Sequence, residues 1–325
     1  MLFSGIPRIR LLEGPTPLHH LKNVGKLLGN INLYVKRDDV MSLGMGGNKI
    51  RMLEFWLGDA ISKKSDVILV GGMPQSNQCR LTAVAAAAIN MRCIIFHNAE
   101  KPEKYNGNIL LNKIMETETV FLGNVSEEKR SELIRQYADQ LKVQGHKPYI
   151  VGDPIIGALG YVNSALELAY QAENMNIDLK HIFICGSMGS TEAGLLYGLS
   201  LFGKSFKVHI VSVEYKIIYL KKIVQDIFNG LCDKLSIIPS ARINDVAEFY
   251  QDYLGEGYEK PTAQSVQAIK FLAKNEGIFI ENTYNAKVFA GMFDLIKKEI
   301  IKSEDAVCCY HTGGTPTLFE QAHFF

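Results

Sequence analysis

Residues 181–198 read HIFICGSMGSTEAGLLYG, and this stretch decides the fold class. A short β-rich run, HIFIC, leads into the turn Gly186-Ser187-Met188-Gly189-Ser190-Thr191, and an apolar helical pattern follows at once. A strand that ends in a Gly-rich turn and feeds a helix opens a βαβ unit. Similar runs recur along the chain: NLYVK (32–36), DVILV (66–70), RCIIFH (92–97), TVFLG (119–123), KVHIVSV (207–213) and DAVCCYH (305–311). Periodicity alone leaves such runs ambiguous between strand and buried helix, so their lengths and flanking glycines decide for strand. Between them lie the helical patterns IRMLEFWLGDAIS (50–62), CRLTAVAAAAIN (79–90), SEEKRSELIRQYADQLKVQ (126–144) and TEAGLLYGLSLFG (191–203). The alternation predicts an α/β protein with a mostly parallel sheet.

With 325 residues the chain has room for two packed units. No Pro/Gly linker divides it, so a split has to be discontinuous, with one α/β unit inserted in another; the helical pattern near 160–174 is the point of re-entry. Thirty-five basic and 34 acidic residues leave a net charge of +1, which gives no reason to expect nucleic acid as a partner. The N-terminal MLFSGIPRIRLLEGPTPLHH lacks an apolar signal core, and no stretch approaches the roughly 20 apolar residues of a membrane span. A cytoplasmic location without membrane attachment is expected. The six cysteines, Cys79, Cys93, Cys185, Cys232, Cys308 and Cys309, show neither CxxC nor zinc-ligand spacing, so neither a metal site nor a disulfide framework is expected.

Ligands of open α/β sheets bind at the carboxyl ends of the strands. The turn Gly186–Thr191 aims backbone N–H groups at the positive end of a helix dipole and so forms an anion pocket, with hydroxyls from Ser187, Ser190 and Thr191. It is neither a P-loop nor a GxGxxG turn, and as a bare strand–helix turn it would bind nothing. In VMSLGMGGNKIRMLEF (40–55), Lys49 starts a helix, where the dipole disfavours a cation. That placement, with burial, lowers its pKa toward the free amine that Schiff-base chemistry needs; alone, it also reads as a surface lysine. In DVILVGGMPQSNQCRLTAVAAAA (66–88), Ser76, Asn77 and Gln78 sit at another helix start, able to cradle a carboxylate or simply to cap the helix. A phosphate cup without its own lysine, together with a separate isolated lysine, is what pyridoxal phosphate requires. A non-enzymatic α/β protein binding a phosphorylated ligand would leave Lys49 without a role.

Taken together the motifs resemble the family of 1-aminocyclopropane-1-carboxylate deaminases and D-cysteine desulfhydrases. The likeness spans TPLHHL (16–21), LYVKRDD (33–39), GGNKIRMLEF (46–55), GGMPQSNQCR (71–80), GNILL (107–111), GALGYV (157–162), GSMGSTEAG (186–194), YLGEGY (253–258), NTYNAK (282–287) and HTGGTPTLF (311–319). The resemblance implies the fold of type II pyridoxal-phosphate enzymes, two open, twisted, mostly parallel-sheet domains, usually in a homodimer. The large cofactor domain would comprise residues 1–50 and 158–325, and the smaller, substrate-side domain residues 51–157. It implies Lys49 as the lysine that carries the cofactor, with Ser187, Met188, Gly189, Ser190 and Thr191 around the phosphate. Asn77 would meet the cofactor's phenolic oxygen. Ser76, Asn77 and Gln78 would receive the carboxylate of a small amino-acid substrate. Ser76, Tyr258 and Tyr284 match the family's active-site serine and tyrosines.

Two positions bear on substrate. Deaminases in this family resemble one another in carrying Glu after the second tyrosine and Leu in the last turn; desulfhydrases carry Thr at both. This chain has Asn285 and Thr312. The expected activity is therefore β-elimination from D-cysteine or a related D-amino acid, with the deaminase as the alternative. Asn285, expected beside the cofactor's pyridine nitrogen, cannot supply the charge a glutamate would.

Overall fold

The computed structural model describes residues 2–202 and 206–325. Ten strands are formed: β1 (Leu18–His20), β2 (Asn32–Arg37), β3 (Val67–Gly72), β4 (Arg92–His97), β5 (Glu118–Phe121), β6 (Pro148–Ile150), β7 (Leu179–Gly186), β8 (Lys207–Ser212), β9 (Ala247–Tyr250) and β10 (Ala306–His311). They make a six-stranded sheet in the order β1-β2-β10-β7-β8-β9 and a four-stranded one in the order β5-β4-β3-β6. Every pairing is parallel except β1 on β2. The α/β reading with mostly parallel sheets holds. β1, β6 and β9 are not among the strands read from the sequence; each has only three or four residues, at a sheet edge.

The central strands are mostly apolar because helices cover both faces of each sheet, with Lys36 and His209 among the buried exceptions. Ile182 and Ile184 of β7 face the main core, whereas Phe183 and Cys185 face a second core built with the helix Asn285–Lys297. The alanine-rich helix Asn77–Ala88 packs on the four-stranded sheet, and Ala83, Ala85 and Ala86 are buried with Ile68 and Val70 of β3.

The re-entry helix begins at Pro154 and runs to Asn174, earlier than its pattern suggested. Asp153 caps it, with Oδ1 accepting from the N–H of Ile155 at 3.0 Å and of Ile156 at 2.9 Å, and Pro154 fits the first turn. The helix from 191 is in place as Ser190–Ser200; the expected final residue, Gly203, lies outside the described residues.

The helix Lys49–Ser62 crosses Pro154–Asn174 closely enough that a Cβ at Gly160 would lie 2.3 Å from the Arg51 carbonyl oxygen. Buried charges lock this crossing. Arg51 donates to Asp38 Oδ1 at 2.8 Å and to Glu167 Oε2 at 2.9 Å, and the Tyr161 hydroxyl donates to Asp38 Oδ2 at 2.7 Å. The Arg51 guanidinium outweighs burial and holds Asp38 below the usual carboxylate range. The first turn of the lysine helix is thereby fixed to the large sheet. Register does the rest: Cys308 and Cys309 of β10 stand opposite Ile182 and Phe183 of β7. Gly186 and His311 therefore end on the same edge, where Lys49 starts its helix.

Candidate active site

At that edge, facing the carboxyl end of β3, lies a cavity of about 490 Å³. It is lined by Lys49, Ser76, Asn77, Gln78, Ser187, Met188, Ser190, Thr191, Tyr258, Tyr284 and Thr312. Tertiary folding thus gathers residues from six separate segments. Two expected site residues, Gly189 and Asn285, do not line it.

Lys49 is the first residue of its helix, and the Gly44–Gly46 loop before it is held by Arg80, which donates to the carbonyl oxygens of Gly44 and Gly46. Among the described residues no carboxylate lies within 4.0 Å of its Nζ. Burial lowers its pKa, opposed more weakly by Cys185, Glu192 and Glu214. The amine is thus shifted toward its nucleophilic form.

Across the cavity the turn after β7 already meets two carboxyl groups of this chain. Ser187 donates its N–H to Glu192 Oε1 at 2.5 Å and its hydroxyl to Glu214 Oε2. Burial raises the pKa of both acids. Gly189 adopts φ +84°, and a Cβ there would lie 2.5 Å from Ile223, on the face away from the cavity. Its part is to let the turn close.

Ser76 caps the helix Asn77–Ala88, its Oγ accepting from the Cys79 N–H at 3.2 Å, while it also lines the cavity. Capping and lining coincide, and the hydroxyl hydrogen stays available. The carbonyl of the Asn77 side chain accepts from Asn108 Nδ2 at 2.8 Å, which leaves its NH₂ to donate. Tyr258 and Tyr284 share a hydroxyl–hydroxyl hydrogen bond, and burial raises both phenols.

Asn285 departs from the expectation that it meets the cofactor ring. Its Nδ2 donates to the Gly313 carbonyl at 2.7 Å and to Glu281 Oε1 at 3.1 Å. Its Oδ1 accepts from the Thr312 N–H at 2.9 Å and from the Thr312 hydroxyl at 3.2 Å. With all its hydrogen-bonding groups engaged in the turn, Asn285 acts on the cavity through Thr312.

Sequence reasoning missed Glu192, Glu214, Arg130 and Cys185, all of which line the cavity. Glu192 stands within the quoted motif GSMGSTEAG, but its helix position gives no sign of which way its carboxyl turns. Arg130 comes from an unrelated helix, Glu127–Val143, where it donates to Asn98 Oδ1 at 2.5 Å and to Glu127 at 3.2 Å. It had no local signal.

A family model described as pyridoxal-phosphate dependent enzyme matches residues 9–313, and the chain belongs to that family. Its cofactor is pyridoxal phosphate, and the architecture is fold type II. The chain is 32% identical over 323 residues to a D-cysteine desulfhydrase of Salmonella newport (strain SL254), covering 96% of this chain and 95% of that one. A solved structure described as an ACC deaminase homologue superimposes with a TM-score of 0.91 at 32% identity, over 99% of this chain and 96% of the other. Threonine deaminase isoform 2 from Solanum lycopersicum shares the fold, with a TM-score of 0.70 at 15% identity over 95% and 81% of the two chains. The protein is a pyridoxal-phosphate-dependent lyase. Among the described residues no helix is long and apolar enough to cross a membrane.

The site's own chemistry fits the cofactor. Lys49 offers an amine shifted toward the free base, and opposite it stands a helix-start turn whose Ser187 N–H meets an acid of this chain on the side where a phosphate would bind.

Proposed function

We propose that this lyase acts on D-cysteine or a related small D-amino acid, eliminating the β-substituent to give pyruvate, ammonia and, from D-cysteine, hydrogen sulfide. One observation carries the reading: Thr312 lines the cavity, and its orientation is set by Asn285 rather than by an acid at that position. The identity to a D-cysteine desulfhydrase supports it.

Pyridoxal phosphate supplies a ring that takes up the negative charge developing at the substrate's α-carbon. Lys49 holds the cofactor through Nζ, and the same atom is suited to hold the α-proton, because burial disfavours its charged form. Residues 187–191 bind the phosphate. Asn77 donates its free NH₂ to the phenolic oxygen. The substrate carboxylate sits on the Ser76 hydroxyl and the open N–H groups of Asn77 and Gln78. Tyr258 and Tyr284, kept protonated by burial, donate hydrogen bonds to the departing sulfur, which leaves as hydrosulfide and takes its proton from water.

In this reading residues 1–50 and 158–325 form the cofactor domain and residues 51–157 the smaller one. Supporting it, β3 to β6 form a sheet of their own while strands from both chain ends share the other. A cytoplasmic location and a homodimer belong to the same proposal; six free cysteines agree with the location, and sedimentation would measure the oligomer. A panel of D- and L-amino acids assayed for pyruvate and sulfide tests the activity. Preference for 1-aminocyclopropane-1-carboxylate, with 2-oxobutyrate as product, would replace the desulfhydrase reading by the deaminase one.

A further inference from the structure

Both donor groups of Ser187 are taken by acids of this chain, the N–H by Glu192 and the hydroxyl by Glu214. Glu192 is only 2% exposed. It lies at the positive end of the helix Ser190–Ser200, on the Ser187 N–H, a donor that a phosphate held by residues 187–191 needs. Two anions on one donor repel each other, the more strongly the less water reaches them.

We infer that Glu192 is a resident anion of the cup, which must take up a proton and surrender its bond to the Ser187 N–H before the cofactor phosphate can occupy that donor. The inference rests on the cofactor reading of residues 187–191. A protonated Glu192 then has an O–H to give a phosphate oxygen, whereas a carboxylate there would repel it.

The charges around Glu192 leave it without a neutralising partner. Lys49 faces it from the opposite helix, but burial already disfavours that lysine's charge. The Cys185 thiol on β7 is pushed up to about 12 and stays neutral. Glu214 follows β8, and Glu127 on the helix Glu127–Val143 adds negative charge near it. The helix Ile217–Leu235 behind the cup presents Ile223 and Ile227. Burial accordingly holds Glu192 above the ordinary carboxylate range, the direction that makes proton uptake accessible.

The test measures protons rather than turnover. Apoprotein is titrated calorimetrically at pH 8 in two buffers of different ionisation heat, with pyridoxal phosphate and with pyridoxal, which lacks the phosphate. At that pH the free phosphate is already a dianion, its second pKa being about 6. Wild type should take up close to one proton more with pyridoxal phosphate than with pyridoxal, and E192Q should show no such difference. Between the free and loaded pKa of Glu192, cofactor affinity of the wild type should fall by up to about tenfold per pH unit, and E192Q should be flat. Should E192Q not fold, the comparison of the two ligands on wild type still decides. Equal proton uptake with both ligands in the wild type, or the same excess in E192Q, overturns the inference alone. Failure of the wild type to bind pyridoxal phosphate at any pH would overturn the cofactor reading, and this inference with it.

Discussion

Asn48 donates its side-chain Nδ2–H to Thr191 Oγ1 at 3.1 Å, and both residues are buried. The residue before Lys49, the proposed cofactor lysine, is thereby tied to Thr191, the last residue of the proposed phosphate turn. The Asn48 N–H also reaches the Thr312 carbonyl at 2.9 Å, so three segments of the site meet at one side chain and its backbone.

Asn48→Ala removes one partner and leaves the other buried, at a cost of about 1–3 kcal/mol. Since the bond spans the two halves of the cofactor site, most of that loss should appear in cofactor affinity. Titration of apoprotein should show weakening by roughly five- to a hundredfold. A variant that loads as tightly as wild type would confine this hydrogen bond to stability.

Lys49→Ala should abolish the visible band of the lysine-bound cofactor and all turnover, with the far-ultraviolet circular dichroism unchanged. Borohydride reduction of wild type followed by peptide mapping should place the pyridoxyl group on Lys49. An adduct on another lysine refutes the assignment.

Gly189→Val should weaken cofactor binding sharply, but from behind. The new side chain would meet Ile223 and Ile227 at under 3.0 Å, on a backbone with φ +84°. Overpacking costs about 1–3 kcal/mol and the left-handed backbone about 1–2 more. The turn should shift and stability fall together, which urea denaturation of the apoprotein would register. Loss of cofactor with full apoprotein stability would show that the side chain had turned toward the phosphate.

Lys287 is buried and donates to the carbonyl oxygens of Leu254 and Gly257, each at 2.8 Å, in the loop leading to Tyr258. Burial lowers its pKa to about 8 from an ordinary 10.5. Between those values the unfolded chain binds a proton that the folded one does not, so this lysine makes stability rise with pH across that window. Lys287→Met should lose that rise, measured as urea midpoints at pH 8 and pH 10. It should also loosen residues 254–258 in hydrogen exchange and lower kcat more than it alters KM. An unchanged exchange pattern would separate Lys287 from the placement of Tyr258.

Thr312→Leu should lower kcat/KM for D-cysteine by about tenfold or more, through loss of a cavity hydroxyl. Asn285→Glu is a poor route to a deaminase in this chain. It would set a carboxylate against the buried Glu281 and the Gly313 carbonyl, where Asn285 now donates. The expected outcome is a drop in thermal midpoint of several degrees rather than a change of substrate. Unaltered stability with new 2-oxobutyrate production would contradict this geometry.

Much was decided along the chain itself. The strand–turn–helix at 181–198 needs only local patterning, because an apolar run, glycines that admit a left-handed turn, and a helical pattern are all adjacent. Lys49 at its helix start and Ser76 at its cap are legible for the same reason. Side-chain direction is different: it depends on what packs from distant segments. Only the tertiary structure turned Asn285 inward onto Gly313 and Thr312, brought Arg130 to the cavity from another helix, and aimed the Glu192 carboxyl into the cup. Spacing along one segment locates a helix or a turn; which hydrogen-bond partners a buried polar group finds is decided by whichever distant backbone lies beside it once the sheets have closed.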